Sequence, residues 1–131
     1  GIDFASLKPD EADPFTQASS DGRGFAVSGG VAKAVVNCIK AKEPEREVLV
    51  ESAEGLANCK KMLKLAKSGK YDGYLLEGMA CPGGCVAGAG TLLPITRATT
   101  AVKKYTNSSD KLNANDSKYK DYLERLIEEY K

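Results

Sequence analysis

Glu47-Val-Leu-Val-Glu51, Leu56-Ala-Asn-Cys-Lys-Lys-Met-Leu-Lys-Leu-Ala-Lys67 and Tyr71-Asp-Gly-Tyr-Leu-Leu76 run directly into Glu77-Gly-Met-Ala-Cys-Pro-Gly-Gly-Cys85. The Val-Leu-Val run predicts a buried strand over 47–51. Leu56, Cys59, Lys60, Leu63 and Lys67 recur at helical spacing and predict an amphipathic helix, closed by Ser68-Gly69. A second strand is predicted over 71–76. Strand, helix of about three turns, and strand with short connections is the pattern of a right-handed βαβ crossover, hence a parallel sheet. The expected class is α/β, a parallel sheet built from that βαβ unit with flanking helices.

The two cysteines Cys81 and Cys85 fall in a glycine-rich turn, Gly83-Gly84 and Gly88-Ala-Gly90, at the carboxyl end of the second strand. Open α/β sheets place ligand sites there, because loops converge and helix N-termini favour anions. Thiolates are the usual ligands of iron–sulfur clusters, and glycines let backbone N–H groups approach the sulfurs. A plain turn is one competing reading of these glycines. A nucleotide-phosphate loop is another, lacking the lysine and hydroxyl of a P-loop and the Gly-x-Gly-x-x-Gly order. A disulfide or zinc site competes for the cysteines. Their three-residue spacing differs from the two-residue spacing of thioredoxin-like motifs, and zinc would need two further ligands nearby.

Upstream, Val31, Ala34, Val35, Cys38 and Ile39 predict a helix from Gly29-Gly30 to Lys42, with Ser28 available as its cap and the paired glycines allowing close packing. Residues 1–24, with Pro9, Pro14, Gly22 and Gly24, are expected to form an extended segment. A helix is predicted after Pro94 through Ile95, Ala98, Val102 and Tyr105. A polar stretch then leads to a last helix over 117–130, capped by Asp116 or Ser117, with Tyr119, Tyr122, Leu123, Leu126 and Ile127 on one face. The expected organisation is one domain: 1–24 extended, 25–105 an α/β core with the cysteine loop, and 106–131 linker and C-terminal helix. Cys38 and Cys59 sit inside helical patterns and are expected in the core.

The 131 residues suffice for one domain but are few for enclosing a large cluster. A net charge of +1, from 19 basic and 18 acidic residues, gives no field that favours nucleic acid or an anionic membrane. No apolar run approaches the roughly 20 residues that span a bilayer. The first residues lack the features of a secretory signal, so a cytoplasmic location is expected. Histidine is absent, which weakens hydrolase chemistry that needs a base near neutral pH.

Glu77, Met79, Cys81, Gly84, Cys85 and Gly88 together match Glu-x-Met-x-Cys-x-x-Gly-Cys-x-x-Gly, which resembles the last of three cysteine signatures of iron-only (FeFe) hydrogenases. Phe25-Ala-Val-Ser-Gly-Gly-Val-Ala-Lys-Ala34 is similar to the family's Phe-Gly-Ala-Thr-Gly-Gly-Val-x-x-Ala, and the acidic segment from Asp3-Phe4 to Asp13-Pro14 resembles the one that precedes it. The resemblance implies one lobe of a hydrogenase-like domain and a C-terminal fragment, inactive alone, of an enzyme that reversibly reduces protons to hydrogen. It implies that Cys81 ligates the 4Fe–4S part of the active-site cluster and that Cys85 bridges that part to a di-iron centre. Gly83 and Gly84 would lie against the cluster, and Met79 and Phe25 would line the di-iron pocket, although ordinary apolar packing would look the same. Glu77 matches an acidic position of the signature, where a cap or salt-bridge role is expected rather than proton transfer.

The implied partners are the remainder of the hydrogenase domain and a ferredoxin-like electron carrier or redox domain of the same protein. Faces turned toward missing parts would promote self-association of the chain. The chain departs from the family pattern at Ala26 and where Gly-Gly-Gly-Gln-Pro is replaced by Gly88-Ala89-Gly90-Thr91-Leu92. Those departures also suit a non-catalytic sensory or iron–sulfur binding module with the same fold.

Overall fold

In a computed structural model, which describes residues 1–6, 18–117 and 119–130, the sheet and the helices follow the α/β expectation. Strand β1 (Val50–Glu54) and strand β2 (Leu75–Met79) pair in parallel, with Val50 opposite Leu75 and Glu54 opposite Met79. Helix α1 (Ser20–Arg23) and helix α2 (Gly30–Lys42) precede the sheet. Helix α3 (Leu56–Lys67) runs between the two strands, so the βαβ unit is present. Helix α4 (Ile95–Asn107) and helix α5 (Lys120–Glu129) follow it. The expectations for Pro9, Pro14 and the Asp13-Pro14 segment lie outside the described residues.

Both strands sit farther along the chain than the apolar runs indicate. Residues 71–73 are spent on turns: Asp72 N–H donates to Gly69 O at 3.4 Å and Tyr74 N–H to Tyr71 O at 3.0 Å. The ladder then uses Ser52, Ala53, Glu54, Glu77 and Gly78, whose polar or small side chains carry no strand signal. Backbone pairing, and not side-chain hydropathy, decides which residues of such a segment are extended.

Helix α2 spans the predicted residues, but its cap is Gly29, at φ 82°, rather than Ser28. The expected close packing is present: a side chain on Gly30 would collide with the Gly24 carbonyl. Residues 1–24 are not extended throughout. A 3-10 turn covers Phe4–Ser6, and α1 forms where Ser19 Oγ accepts the Gly22 N–H at 3.2 Å, a cap on a single turn too short to leave a periodic pattern. Ser20 N–H donates to Lys111 O at 2.7 Å and Asp21 N–H to Leu112 O at 3.0 Å, joining this turn to the segment after α4. The Arg23 guanidinium lies 4.3 Å over the Tyr105 ring and donates to Tyr105 O at 3.0 Å.

The C-terminal helix begins at Lys120 with no side-chain cap, because Asp116 serves elsewhere. It belongs to a capping box around the 3-10 turn Ala114–Asp116, in which Asn113 Oδ1 accepts the Asn115 N–H at 2.8 Å. Tyr119, Tyr122 and Ile127, expected on a packed face, are exposed. Among the described residues the buried apolar set is small: Ala32, Ala34, Met62 and Val86. Cys38 and Cys59, expected in the core, are half-buried; the Cys59 thiol lies 3.5 Å from Ala53 O and 3.6 Å from Met79 O.

Asp116 Oδ2 accepts the N–H of Leu112 at 2.8 Å and of Asn113 at 3.0 Å. The Asn113 N–H first, then that of Leu112, with the Lys111 charge adding to them, hold the carboxyl below its ordinary 3.8. A depressed carboxylate stabilises the fold fully above its unfolded value and loses that effect as pH falls through the lower folded one. Amide exchange followed by NMR should therefore show Leu112 and Asn113 protected at neutral pH and losing protection only below about pH 4. In an Asp116→Ala variant both should exchange without protection, at the rate of a free amide, at every pH.

Candidate metal centre

The cysteine loop begins two residues after β2. Gly84 N–H donates to Cys81 O at 3.0 Å, closing a turn over Pro82-Gly83, and Cys85–Ala87 then form a 3-10 turn in which Ala87 N–H donates to Gly84 O at 3.0 Å. Gly83 and Gly84 have φ of 89° and 95°, backbone that side-chain-bearing residues rarely adopt. Val86 is buried and anchors the loop from within. Cys81 is half-buried and Cys85 is exposed.

The loop lies directly on the chain that leads into α2. A Cβ on Gly84 would stand 2.6 Å from Ser28 N and 2.8 Å from Ala26 O. Ser28 N–H also donates to Gly83 O at 3.1 Å. The two sequence segments that resemble hydrogenase signatures are thus brought into backbone contact. Phe25, in the 3-10 turn Gly24–Ala26, is 46% exposed, and Met79 is half-buried at the end of β2.

Two carboxylates hold this junction. Glu77, in the middle of β2 and only 8% exposed, accepts the Gly29 N–H on Oε2 at 2.6 Å and those of Val31 and Ala32 on Oε1, each at 3.1 Å. It is the side-chain cap of α2, supplied from a distant strand, as a carboxylate at a helix N-terminus should be. Glu54, the last residue of β1, accepts the Gly83 N–H on Oε2 at 2.8 Å. That N–H first, and the Ser28 hydroxyl second, lower its carboxyl from the ordinary 4.5. The α2 cap expected from Ser28 is therefore supplied by Glu77 instead.

Glu54 escaped the sequence reading. Its signal, an acidic residue at the end of one parallel strand facing a glycine loop at the end of the next, is visible only in the true strand register.

All four cysteines are free. Cys38 lies on α2 and Cys59 on α3, so Cys81 and Cys85 are the thiols of the loop. No group of three or more His, Cys, Asp or Glu side chains placed to hold a metal ion occurs among the described residues. A cubane cluster takes about four thiolates, so the donors here fit half of such a shell.

A family model for the iron-only hydrogenase large subunit, C-terminal domain, matches residues 1–89, and the chain belongs to that family. The NADP-reducing hydrogenase subunit HndD of Solidesulfovibrio fructosivorans is 29% identical over 116 residues, which cover 68% of this chain and 20% of that protein. The periplasmic Fe hydrogenase large subunit of Nitratidesulfovibrio vulgaris is 30% identical over 117 residues, covering 69% of this chain and 28% of that protein. The match thus spans less than a third of either relative's length.

Gly84 and Gly90 offer a paired test of the loop contact. Both have positive φ, but a Cβ at Gly90 meets nothing within 4 Å. Gly90→Ala should cost only the backbone strain, about 1–2 kcal/mol. Gly84→Ala should cost at least ~2 kcal/mol more in urea unfolding, because the loop must also lift off residues 26–28.

Proposed function

We propose that this chain supplies the C-terminal ligand loop of an iron-only hydrogenase, and that Cys81 and Cys85 are two of the thiolates that hold its active-site cluster. The observation that carries this reading is the seating of the Cys81–Cys85 loop, at the carboxyl end of β2, on residues 26–28 through Gly84. In this assignment Cys81 and Cys85 would hold the cluster through their thiolates, Cys81 on its 4Fe–4S part and Cys85 on the side of the di-iron centre. When bound, the cluster would relay electrons received from the carrier and supply the metal site at which two protons and two electrons interconvert with H2.

The chain's own residues hold and enclose that group. Cys81 and Cys85 lose their thiol protons on ligation. Gly83 and Gly84 bring the backbone close without side-chain bulk. Phe25 and Met79 present apolar surface beside the loop, where they would limit access of water. With only two thiolates on the loop, the chain alone is inactive and the other ligands come from the rest of the protein. A cleft of about 260 Å3 lined by Val31, Ala32, Val35 and the Leu75–Met79 strand supports docking of further domain at this face; without that domain the chain self-associates. The division into 1–24, 25–105 and 106–131 belongs to the same proposal, as does electron delivery by a ferredoxin-like carrier or redox domain.

No helix among the described residues is long and apolar enough to cross a membrane. A cytoplasmic location belongs to the same proposal.

A second reading, a sensory or iron–sulfur binding module without turnover, draws support from the segment after the loop. Thr91 Oγ1 folds back to donate to Gly88 O at 2.8 Å and Leu92 is 96% exposed, where the family pattern has Gln-Pro. The two readings part at the upstream sequence, which in an enzyme carries both other cysteine signatures and a relay cysteine.

In the longer natural protein, Cys81→Ser and Cys85→Ser should each lose most of the cluster iron, whereas Cys38→Ser and Cys59→Ser should retain it. Iron analysis after anaerobic purification decides this, and full iron in the Cys81 and Cys85 variants would refute the assignment.

A further inference from the structure

Gly83 stands midway between the two cysteines, and its backbone is gripped on both sides by different elements. Its N–H is taken by Glu54 Oε2 at 2.8 Å, from the end of β1. Its carbonyl accepts the Ser28 N–H at 3.1 Å, from the turn before α2. Glu54 reaches this position because it closes β1 opposite Met79, the residue that closes β2 two positions before Cys81.

We infer that Glu54 is a positioning residue for the cysteine loop, fixing the Gly83-Gly84 hinge so that Cys81 and Cys85 are held in one relative arrangement. The inference rests on the ligand-loop reading for its purpose but on the hydrogen bonds alone for its geometry. Two consecutive glycines give a chain its widest choice of conformations. Every rotation within the pair moves Cys85 relative to Cys81, so a ligand loop built on such a pair needs an external constraint. The grip on the Gly83 carbonyl orients the peptide that follows Gly83 and leaves the preceding one, between Pro82 and Gly83, free to turn. Glu54 closes that remaining freedom through the N–H, and it does so from the end of β1. Preorganising a ligand pair in this way lowers the ordering cost of metal binding.

The test uses the metal-free chain as it stands. Alkylation of each cysteine by iodoacetamide is followed by mass spectrometry, together with NMR amide exchange at Gly83 and urea unfolding. In Glu54→Ala, Gly83 exchange should accelerate roughly tenfold and Cys81 alkylation severalfold, with Cys38 and Cys59 unchanged. Glu54→Gln, which keeps an acceptor of the same reach, should stay close to the parent chain. The inference is overturned if Gly83 and Cys81 do not respond to Glu54→Ala. It is equally overturned if all four cysteines speed up together, which marks general loosening, or if the Gln variant behaves like the Ala one. Because none of these readouts involves iron, they stand or fall separately from the ligand assignment, which the cysteine variants decide.

Discussion

The buried carboxylate of Glu77 is the interaction on which the arrangement depends. A strand residue that is 8% exposed and accepts three backbone N–H groups at the start of α2 joins the sheet to the helix at one point. Leaving those donors and the carboxylate without one another would cost several kcal/mol at an order-of-magnitude level, since buried groups must be paired. The same bond sets where the chain before α2 runs, and the cysteine loop is then laid on that chain. Remove the joint, and the Phe25 turn and the Cys81–Cys85 loop lose their common support.

Local chemistry was legible in the sequence where one segment carried its own signals. The span of α3, ended by Ser68-Gly69, the start of α4 after Pro94, and the end of α2 before Pro44 are all set by neighbours in the chain. The placement of the cysteine loop at the end of a parallel strand followed from the βαβ pattern. What escaped is what depends on distant partners. Polar strand residues such as Ser52 and Glu54 are extended because a ladder pairs them, Ser28 yields the α2 cap to Glu77, and Asp116 closes a turn rather than starting α5. A carboxylate's partner is fixed by tertiary geometry, and no spacing rule along the chain reveals it.

The thin core bears on how such a chain does its work. A two-stranded parallel sheet is rarely stable by itself, and Tyr122 of α5 and Val31 and Val35 of α2 are open to solvent. Stability near the loop comes instead from hydrogen bonds made by Glu77, Glu54 and the backbone of Ser28, which need no large apolar interior. In the proposed function the half-shell of thiolates and the uncovered cleft beside β2 have the same explanation, since both are completed by the rest of the hydrogenase domain.

Iron and acid-labile sulfide analysis after anaerobic reconstitution, comparing this chain with a longer protein that includes the rest of the proposed hydrogenase domain, is the most direct measurement of shared ligation. Shared ligation predicts a stoichiometric cluster in the longer protein and none that survives gel filtration on the chain alone. A stable cluster on the isolated chain, or no cluster in either form, would contradict it.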